Sequence, residues 1–318
     1  MKHLTTMALA AAGAALAISG AIAEDFPSKT IEVVTHAGAG GGTDRWARVM
    51  SSGAFDVFGH GMHVQNRGGA AGTIGWKYMM DQKADGHSIL LASPTPVMAA
   101  LMEKKPPFDP QNVKIAAYYS VMKPTLIAPK DSAYSDWESL VAYLKDDGNK
   151  KVTIGGTITQ LLGPTSLLAQ LGLEKRVILV PYSGTGKAVN DYLGGHIDMA
   201  AITTSTAVTV MEKHAVVFNA TDTDYPPDAK KIIGDVPNAK TLGLKPFNPP
   251  RFIGMHPDTP DEQVAIMSAK LGEMLNSKPV VNMLKKLGEV IVYVPHDEAQ
   301  KAYSDILVSA KKNVSLFQ

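Results

Sequence analysis

The chain has 318 residues, no cysteine and nearly equal numbers of basic and acidic side chains, with a formal net charge of +1. This composition excludes disulfide bonds and thiolate metal sites, and it lacks the basic surface typical of nucleic-acid binding. An anionic ligand would therefore have to be held by local dipoles and not by the field of the whole protein.

The first 23 residues have the composition of an export signal. A short basic start, Met1–His3, precedes an uncharged run rich in Ala, Leu, Ile and Met. Small residues around Ala23 suit a signal peptidase, so we expect residues 1–23 to be removed and the mature protein to be exported. The alternative is a membrane anchor, but glycine and serine interrupt the short apolar run. The remaining chain is long enough for about two domains.

Strands and helices alternate along the first part of the mature chain. Strands are predicted at 31–34, 62–65 and 88–92, and helices at 43–58 and 71–82. This β-α-β-α-β order predicts a parallel sheet with right-handed crossovers. The chain is predicted to leave this first domain through a strand at 125–129.

The alternation returns in the second part of the chain. Strands are predicted at 151–154, 177–180, 199–202 and 251–255, and helices at 136–145, 164–170, 187–193, 261–275 and 297–313. Residues 225–250 are rich in proline and are predicted to be mostly loop. Two such sets joined by crossing strands predict two α/β lobes with a cleft between them. The first lobe comprises residues 24–125 plus 252–318, and the second comprises residues 126–251.

Two glycine-rich turns, Gly38–Asp44 and Gly68–Gly75, each link a strand to a helix in the predicted first lobe. Glycine lets backbone N–H groups approach a ligand, threonine adds a hydroxyl, and the helix adds a partial positive charge. An anion is the expected guest, and the alternative is a plain turn with Asp44 as a helix cap. The candidate ligand-binding residues of these turns are Gly41, Gly42, Thr43, Ala71, Gly72 and Thr73.

Hydroxyl side chains recur where predicted strands end or helices begin. Because ligands of such sheets bind outside the carboxyl ends of the strands, this recurrence indicates a carboxylate site in the cleft. The helix predicted from Pro164 would bring two of these hydroxyls to its N-terminus. The candidates are Ser93, Thr165, Ser166, Thr203, Thr204 and Ser205.

Nucleotide and catalytic motifs fail on spacing. The third glycine of a dinucleotide fingerprint would fall on Thr43 or Arg45, and a phosphate loop ending at Lys187 has Pro181 and Ala188 at its required positions. The histidines lack metal-binding spacing, and no nucleophile elbow is present. We therefore predict no catalytic residues, no metal and no cofactor. A periplasmic hydrolase remains a rival that turnover of a bound acid would reveal.

Several segments, in order along nearly the whole mature chain, resemble the solute receptors of tripartite tricarboxylate transporters, the TctC or Bug family. The segments that carry this resemblance are Ser28–Val34, Gly40–Asp44, Gln65–Gly75, Ala84–Leu91, Val180–Gly186, Leu193–Met199, Asp235–Pro237 and Leu242–Leu244. The resemblance implies a type II periplasmic binding protein, with two α/β lobes joined by a hinge as in a Venus flytrap. It also implies a monomer that delivers a small carboxylate to the membrane permease subunits of its transporter. An exported sensor that signals to a kinase is the alternative.

In this family one ligand carboxylate is held by the two glycine turns, and the far end of the ligand meets the second lobe. The chain departs from the family pattern at His36–Gly38, where an aromatic residue between prolines is common, and at Ser166, where histidine is common. The loop 155–163 is also expected to be longer than usual. We therefore expect a wide pocket that accepts a longer dicarboxylate, with aromatic dicarboxylates as one option.

Overall fold

The computed structural model describes residues 26–313, so the predicted signal peptide lies outside the described residues. The strands are β1 Ile31–Thr35, β2 Met62–Asn66, β3 Ser88–Ala92, β4 Lys114–Val121, β5 Pro124–Pro129, β6 Val152–Gly156, β7 Val177–Pro181, β8 Met199–Thr203, β9 His214–Asn219, β10 Pro250–Met255 and β11 Ile291–Pro295. The helices are α1 Gly42–Ser52, α2 Ala54–Phe58, α3 Thr73–Met80, α4 Thr95–Met102, α5 Trp137–Lys145, α6 Ile158–Ala169, α7 Thr185–Leu193, α8 Thr204–Ala207, α9 Pro227–Ile233, α10 Asp261–Asn276, α11 Lys278–Lys286 and α12 His296–Asn313.

Six strands form the first sheet, in the order β11-β4-β10-β3-β1-β2. β1 pairs in parallel with β2 and β3, whereas β10 is antiparallel to both β3 and β4. The apolar runs of β1 and β3 are almost fully buried because helices cover both faces of the sheet. Trp46 and Tyr119 pack in the core on one face, and Trp76 and Phe252 pack on the other.

Five strands form the second sheet, in the order β7-β6-β8-β5-β9. β6 pairs in parallel with β7 and β8, and β5 is antiparallel to β8 and β9. The core of this sheet includes an edge contact between the rings of Trp137 and Phe218, whose centroids are 5.0 Å apart. Each sheet therefore has its own apolar core, which is the requirement for a separate lobe.

The chain passes between the sheets twice, from β4 into β5 and from β9 back to β10. The predicted two-lobe α/β fold is confirmed by this topology. The domain limits placed after residues 125 and 251 stay a prediction. Within residues 26–313 no helix combines the length and apolar character needed to cross a membrane.

Two predicted helices have different limits in the structure. The helix predicted at 43–58 is divided at Gly53, where an added Cβ would lie 2.8 Å from Val280 Cγ2, so α11 packs closely at the break. The helix predicted from Pro164 instead begins at Ile158, and Pro164 lies inside it. The prediction of a loop at 155–163 is therefore wrong, because these residues form the end of β6 and the first half of α6.

Several elements were not expected from the sequence. These elements are β4, β9, β11, α4, α8, α9 and α11. β4 is buried along most of its length and lies between β10 and β11, so its residues do not alternate between apolar and polar. β11 brings the C-terminal part of the chain into the first sheet, next to β4.

Candidate ligand-binding site

The first glycine turn folds around the carboxylate of Asp44. This carboxylate accepts the Gly40 N–H at 2.8 Å, Asn66 Nδ2 at 2.8 Å and Arg48 Nε at 3.0 Å. Burial alone would raise the pKa of Asp44, but these hydrogen bonds outweigh it and hold the pKa below its ordinary value. Asp44 therefore stays ionised and fixes the turn that leads into α1.

The second glycine turn is held in a left-handed conformation. The φ angles are 121° at Gly69, 44° at Ala70, 52° at Ala71 and 94° at Gly72. Left-handed backbone costs about 1–2 kcal/mol at each alanine, and such strain is concentrated at functional sites in proteins. The turn passes directly into α3, and Ala71 faces the cavity between the lobes.

Residues of both lobes line a narrow cavity of about 40 Å³ that opens to solvent. His36 follows β1, Ser93 follows β3 and Thr203 ends β8, so the cavity lies at the carboxyl ends of strands from both sheets. Its lining is rich in hydroxyl groups. The lining residues are His36, Ala37, Gly42, Thr43, Ala71, Ser93, Thr95, Met122, Thr157, Gln160, Ser183, Gly184, Thr185, Thr203 and Arg251.

His36 contributes a neutral imidazole to the cavity wall. Its Nε2 accepts the Ser93 N–H at 3.1 Å, which places the ring proton on Nδ1. The pKa of His36 is lowered from 6.5 to about 4, mainly by burial and to a smaller extent by the positive charge of Arg251, while a backbone hydrogen bond acts in the opposite direction. Although Ser166 stands where the family often has histidine, the cavity still contains an imidazole.

The depressed pKa of His36 predicts an acid-sensitive fold. Because the folded protein binds this proton less readily than the unfolded chain, the stability contributed by neutral His36 is complete above pH 6.5 and is lost as the pH falls toward 4. The loss amounts to about 3 kcal/mol. His36→Gln keeps an acceptor for the Ser93 N–H but does not titrate. Urea unfolding between pH 4 and 7 should show a shallower pH dependence in this variant, and an unchanged slope would contradict the assignment.

Arg251 is a buried cation at the floor of the cavity. Its Nη1 donates to Glu289 Oε2 at 2.7 Å, and the two side chains are only 2% and 9% exposed. Burial acts to raise the pKa of Glu289, but the charge and hydrogen bond of Arg251 bring it below its ordinary value. The pair is therefore ionised. A Cβ added to Gly42 would lie 3.3 Å from Arg251 Nη2 and 3.7 Å from Thr203 Oγ1.

Two side-chain hydrogen bonds join the lobes beside the cavity. Thr95 Oγ1, at the start of α4, donates to Thr159 Oγ1 in α6 at 2.8 Å. Arg45 Nη1, in α1, donates to the backbone oxygen of Ser205 at 2.8 Å. Helices α1, α4 and α6 also supply cavity residues, so movement of one lobe against the other would alter the cavity directly.

Some of the predicted site residues meet in this cavity. Gly42, Thr43, Ala71, Ser93 and Thr203 line it. Each lies at an end of a strand or helix, where the sequence placed a turn or a hydroxyl group.

Other predicted residues lie beside the cavity. Gly41 caps α1, and Gly72 packs against the His36 ring, where an added Cβ would lie 2.6 Å from Nδ1. Thr73 Oγ1 donates to the Ala70 oxygen at 2.9 Å, and Thr73 faces a neighbouring cleft of the surface. Thr204 and Ser205 form the first turn of α8.

Thr165 and Ser166 do not line the cavity. They were predicted at the start of a helix, but they lie in the second half of α6. Their hydroxyls donate to the backbone oxygens of Leu161 at 2.7 Å and Gly163 at 2.8 Å, within the same helix. The N-terminus of α6 is instead formed by Thr157, and both Thr157 and Gln160 line the cavity.

Solved proteins of low sequence identity share this fold. A structure of Rpa4515 from R. palustris with adipate has a TM-score of 0.81 and 18% identity, covering 92% of this chain and 98% of that one. MatC from Rhodopseudomonas palustris with bound malate has a TM-score of 0.75 and 22% identity, covering 91% and 100%. The fold is also that of the periplasmic binding protein BugD, whose structure has a TM-score of 0.78 and 23% identity, covering 92% of this chain and 99% of that one.

Sequence comparison identifies the family. A family model described as "Tripartite tricarboxylate transporter family receptor", TctC, matches residues 46–313. The protein BugT of Bordetella pertussis is 25% identical over 307 residues, which cover 93% of this chain and 91% of BugT. The chain belongs to the TctC family of tripartite tricarboxylate transporter receptors, as its motifs predicted.

Proposed function

We propose that the protein captures a dicarboxylate in the cavity between its lobes and delivers it to the membrane permease of a tripartite tricarboxylate transporter. The observation that carries this proposal is the cavity itself, where strand ends from both lobes meet the N-terminus of α1 and the buried cation Arg251. Family membership supports the transport role. The protein acts by binding, without chemical conversion of the acid.

Binding exchanges the water around a carboxylate for fixed donors of the protein. Thr43 and Thr203 supply hydroxyl groups, and the first residues of α1 have backbone N–H groups without helical partners. Each hydrogen bond to the charged oxygens contributes about 1.5–3 kcal/mol. The acid favours closure of the lobes only to the extent that it binds the closed arrangement more tightly than the open one.

The lining favours a polar aliphatic acid over an aromatic one. Met122 is the large apolar side chain of the cavity, and threonine, serine, glutamine, histidine and arginine form most of the remaining wall. Aromatic ligands are usually held by larger apolar surfaces. Structures of this fold that contain malate or adipate support aliphatic dicarboxylates as the first probes.

A panel of acids tests the proposed function. We expect malate, adipate or both to raise the melting temperature of the purified protein and to give saturable heats in calorimetry. Phthalate serves as the aromatic dicarboxylate, and the diamide of malic acid serves as the uncharged control. If phthalate were the only acid of the panel that bound, the ligand class would be aromatic dicarboxylates and not aliphatic ones. If none of the three acids binds, the proposed dicarboxylate function is wrong.

Thr43→Leu should abolish binding of the acid while leaving the fold intact. Thr43 lies in the first turn of α1 and lines the cavity, so leucine removes a hydroxyl and fills the space of the carboxylate. Calorimetry with malate and adipate measures the loss, and circular dichroism verifies the fold. Thr209→Leu alters an exposed threonine away from the cavity and should bind as the unchanged protein does. Retained affinity in Thr43→Leu would contradict this site.

We further propose that residues 1–23 direct export and are removed after Ala23, and that the mature receptor is a monomer in the periplasm. The mass of the protein recovered from the periplasm tests the cleavage site, and its sedimentation tests the monomer.

A further inference from the structure

The Arg251 guanidinium has two different sides. Within residues 26–313 its side-chain hydrogen bonds leave from Nη1, to Glu289 at 2.7 Å and to Ser120 Oγ at 3.4 Å. Nη2 lies on the side of the cavity, near the space that the missing Cβ of Gly42 leaves open. One edge of the guanidinium is therefore hydrogen-bonded to the protein, and the other edge faces the cavity in which a ligand would bind.

We propose that Arg251 Nη2, Thr203 Oγ1 and the first N–H groups of α1 form one carboxylate subsite, with Arg251 as its specificity-determining residue. This inference rests on the proposed function, because it assigns a position to one end of the bound acid. The subsite joins three elements: β10 and α1 of the first lobe, and β8 of the second.

Convergence of the donors on a single point supports the assignment. The Cβ position of Gly42 is within 3.7 Å of groups from both lobes, Arg251 Nη2 and Thr203 Oγ1. A side chain at residue 42 would occupy that point, so glycine keeps it open. Arginine presents planar N–H groups that match the geometry of a carboxylate, and such charge-assisted bonds are about twice as strong as neutral ones.

The burial of the pair argues against a purely structural role. Among the ion pairs formed within residues 26–313, this one alone has both side chains less than 10% exposed. A buried ion pair gives little net stability compared with apolar residues of similar size. Because the pair lies beside the cavity, Arg251 supplies a cation to the site. Glu289 offsets the charge of this cation while no acid is bound. Carboxylate binding then adds a second anion to Arg251.

A comparison of two variants isolates the contribution of Arg251. Glu289→Gln keeps an acceptor for Nη1, and the double variant Arg251→Gln/Glu289→Gln differs from it only at residue 251. Glu289→Gln leaves the buried Arg251 charge without its carboxylate and should lower the free energy of unfolding, whereas the double variant contains neither charge.

Circular dichroism verifies that both variants are folded at the temperature of the titration. Calorimetry with malate, adipate and phthalate should show at least fivefold tighter binding by Glu289→Gln than by the double variant. If Glu289→Gln is unfolded, the double variant is compared with the unchanged protein, and the same fivefold loss of affinity is expected. A smaller ratio overturns the inference.

Glu289→Gln should also bind these acids more tightly than the unchanged protein, by about three- to tenfold, because the Arg251 charge is no longer offset. A merely structural ion pair would give no such gain, so equal or weaker binding overturns the inference as well. Lys114→Gln/Asp261→Asn removes an ion pair at the opposite end of the β4–β10 pairing and should leave the affinity unchanged. If the unchanged protein binds none of the three acids, the proposed function fails first and this inference fails with it.

Discussion

Arg251→Met should lower the free energy of unfolding by about 3–5 kcal/mol. The substitution removes the cation that neutralises Glu289, whose side chain is only 9% exposed. The glutamate then has to lose its charge or draw water into the lobe, and either response destabilises the folded state. Urea unfolding monitored by circular dichroism at pH 7 measures the loss.

The double variant Arg251→Met/Glu289→Leu is the matched control for this loss. Because it replaces both charges by apolar groups, it should recover most of the stability that Arg251→Met loses. A loss of less than 1 kcal/mol in the single variant would show that Glu289 does not depend on Arg251. Failure of the double variant to recover would mean that packing of the long arginine side chain, and not its charge, is the main contribution.

Gly72→Ala should lower the free energy of unfolding by about 2–5 kcal/mol. Residue 72 has a φ angle of 94°, and an added Cβ would lie 2.6 Å from His36 Nδ1. The substitution therefore combines backbone strain with a collision against a buried ring. Because His36 accepts the Ser93 N–H, movement of the ring should also weaken binding of the acid.

Gly59→Ala separates the two causes. Gly59 has a φ angle of 70°, but nothing lies within 4 Å of its Cβ position. It should cost only the backbone strain, about 1–2 kcal/mol, and should not change binding. Equal losses in thermal and urea unfolding for the two variants would exclude the contact with His36 as a cause. A double variant with His36→Ala, in which the ring is absent, should reduce the loss caused by Gly72→Ala.

The parallel parts of both sheets could be predicted because local signals agree with the fold. β1 and β3 are short and mostly apolar, and β2 alternates apolar and polar residues; helical segments separate the three strands, and the second lobe repeats this order. β4 and β11 were missed because their pairing depends on distant partners. Lys114 and Ile115 of β4 pair with the return strand β10, which lies far along the chain.

The start of α6 shows how one local signal can hide another. Proline is favoured in the first turn of a helix, so Pro164 predicted a helix start there. The structure instead begins α6 after Thr157, whose backbone N–H donates to Gln160 Oε1 at 3.1 Å. This threonine–glutamine spacing is present in the sequence and could have indicated the earlier start. The proline is accommodated within the helix.

Arg251 could not be recognised as part of the site from its own neighbourhood. A single arginine in a predicted strand is ordinarily a surface charge. It can be buried because Glu289, in the turn before β11, lies against it in the folded protein. The glycine turns, by contrast, carry their signal locally, and Gly42, Thr43 and Ala71 line the cavity as expected.

The order of strands along the chain has a consequence for how the receptor matures. β5 to β9 form one uninterrupted segment, so the second lobe can collapse as a local unit. The first lobe needs strands from both extremes of the described chain, because β4 lies between β10 and β11. Arg251 and Glu289 both belong to that late segment. We therefore expect the glycine turns to fold early and the part of the cavity that contains Arg251 to form last. Only a fully folded chain would then bind the ligand.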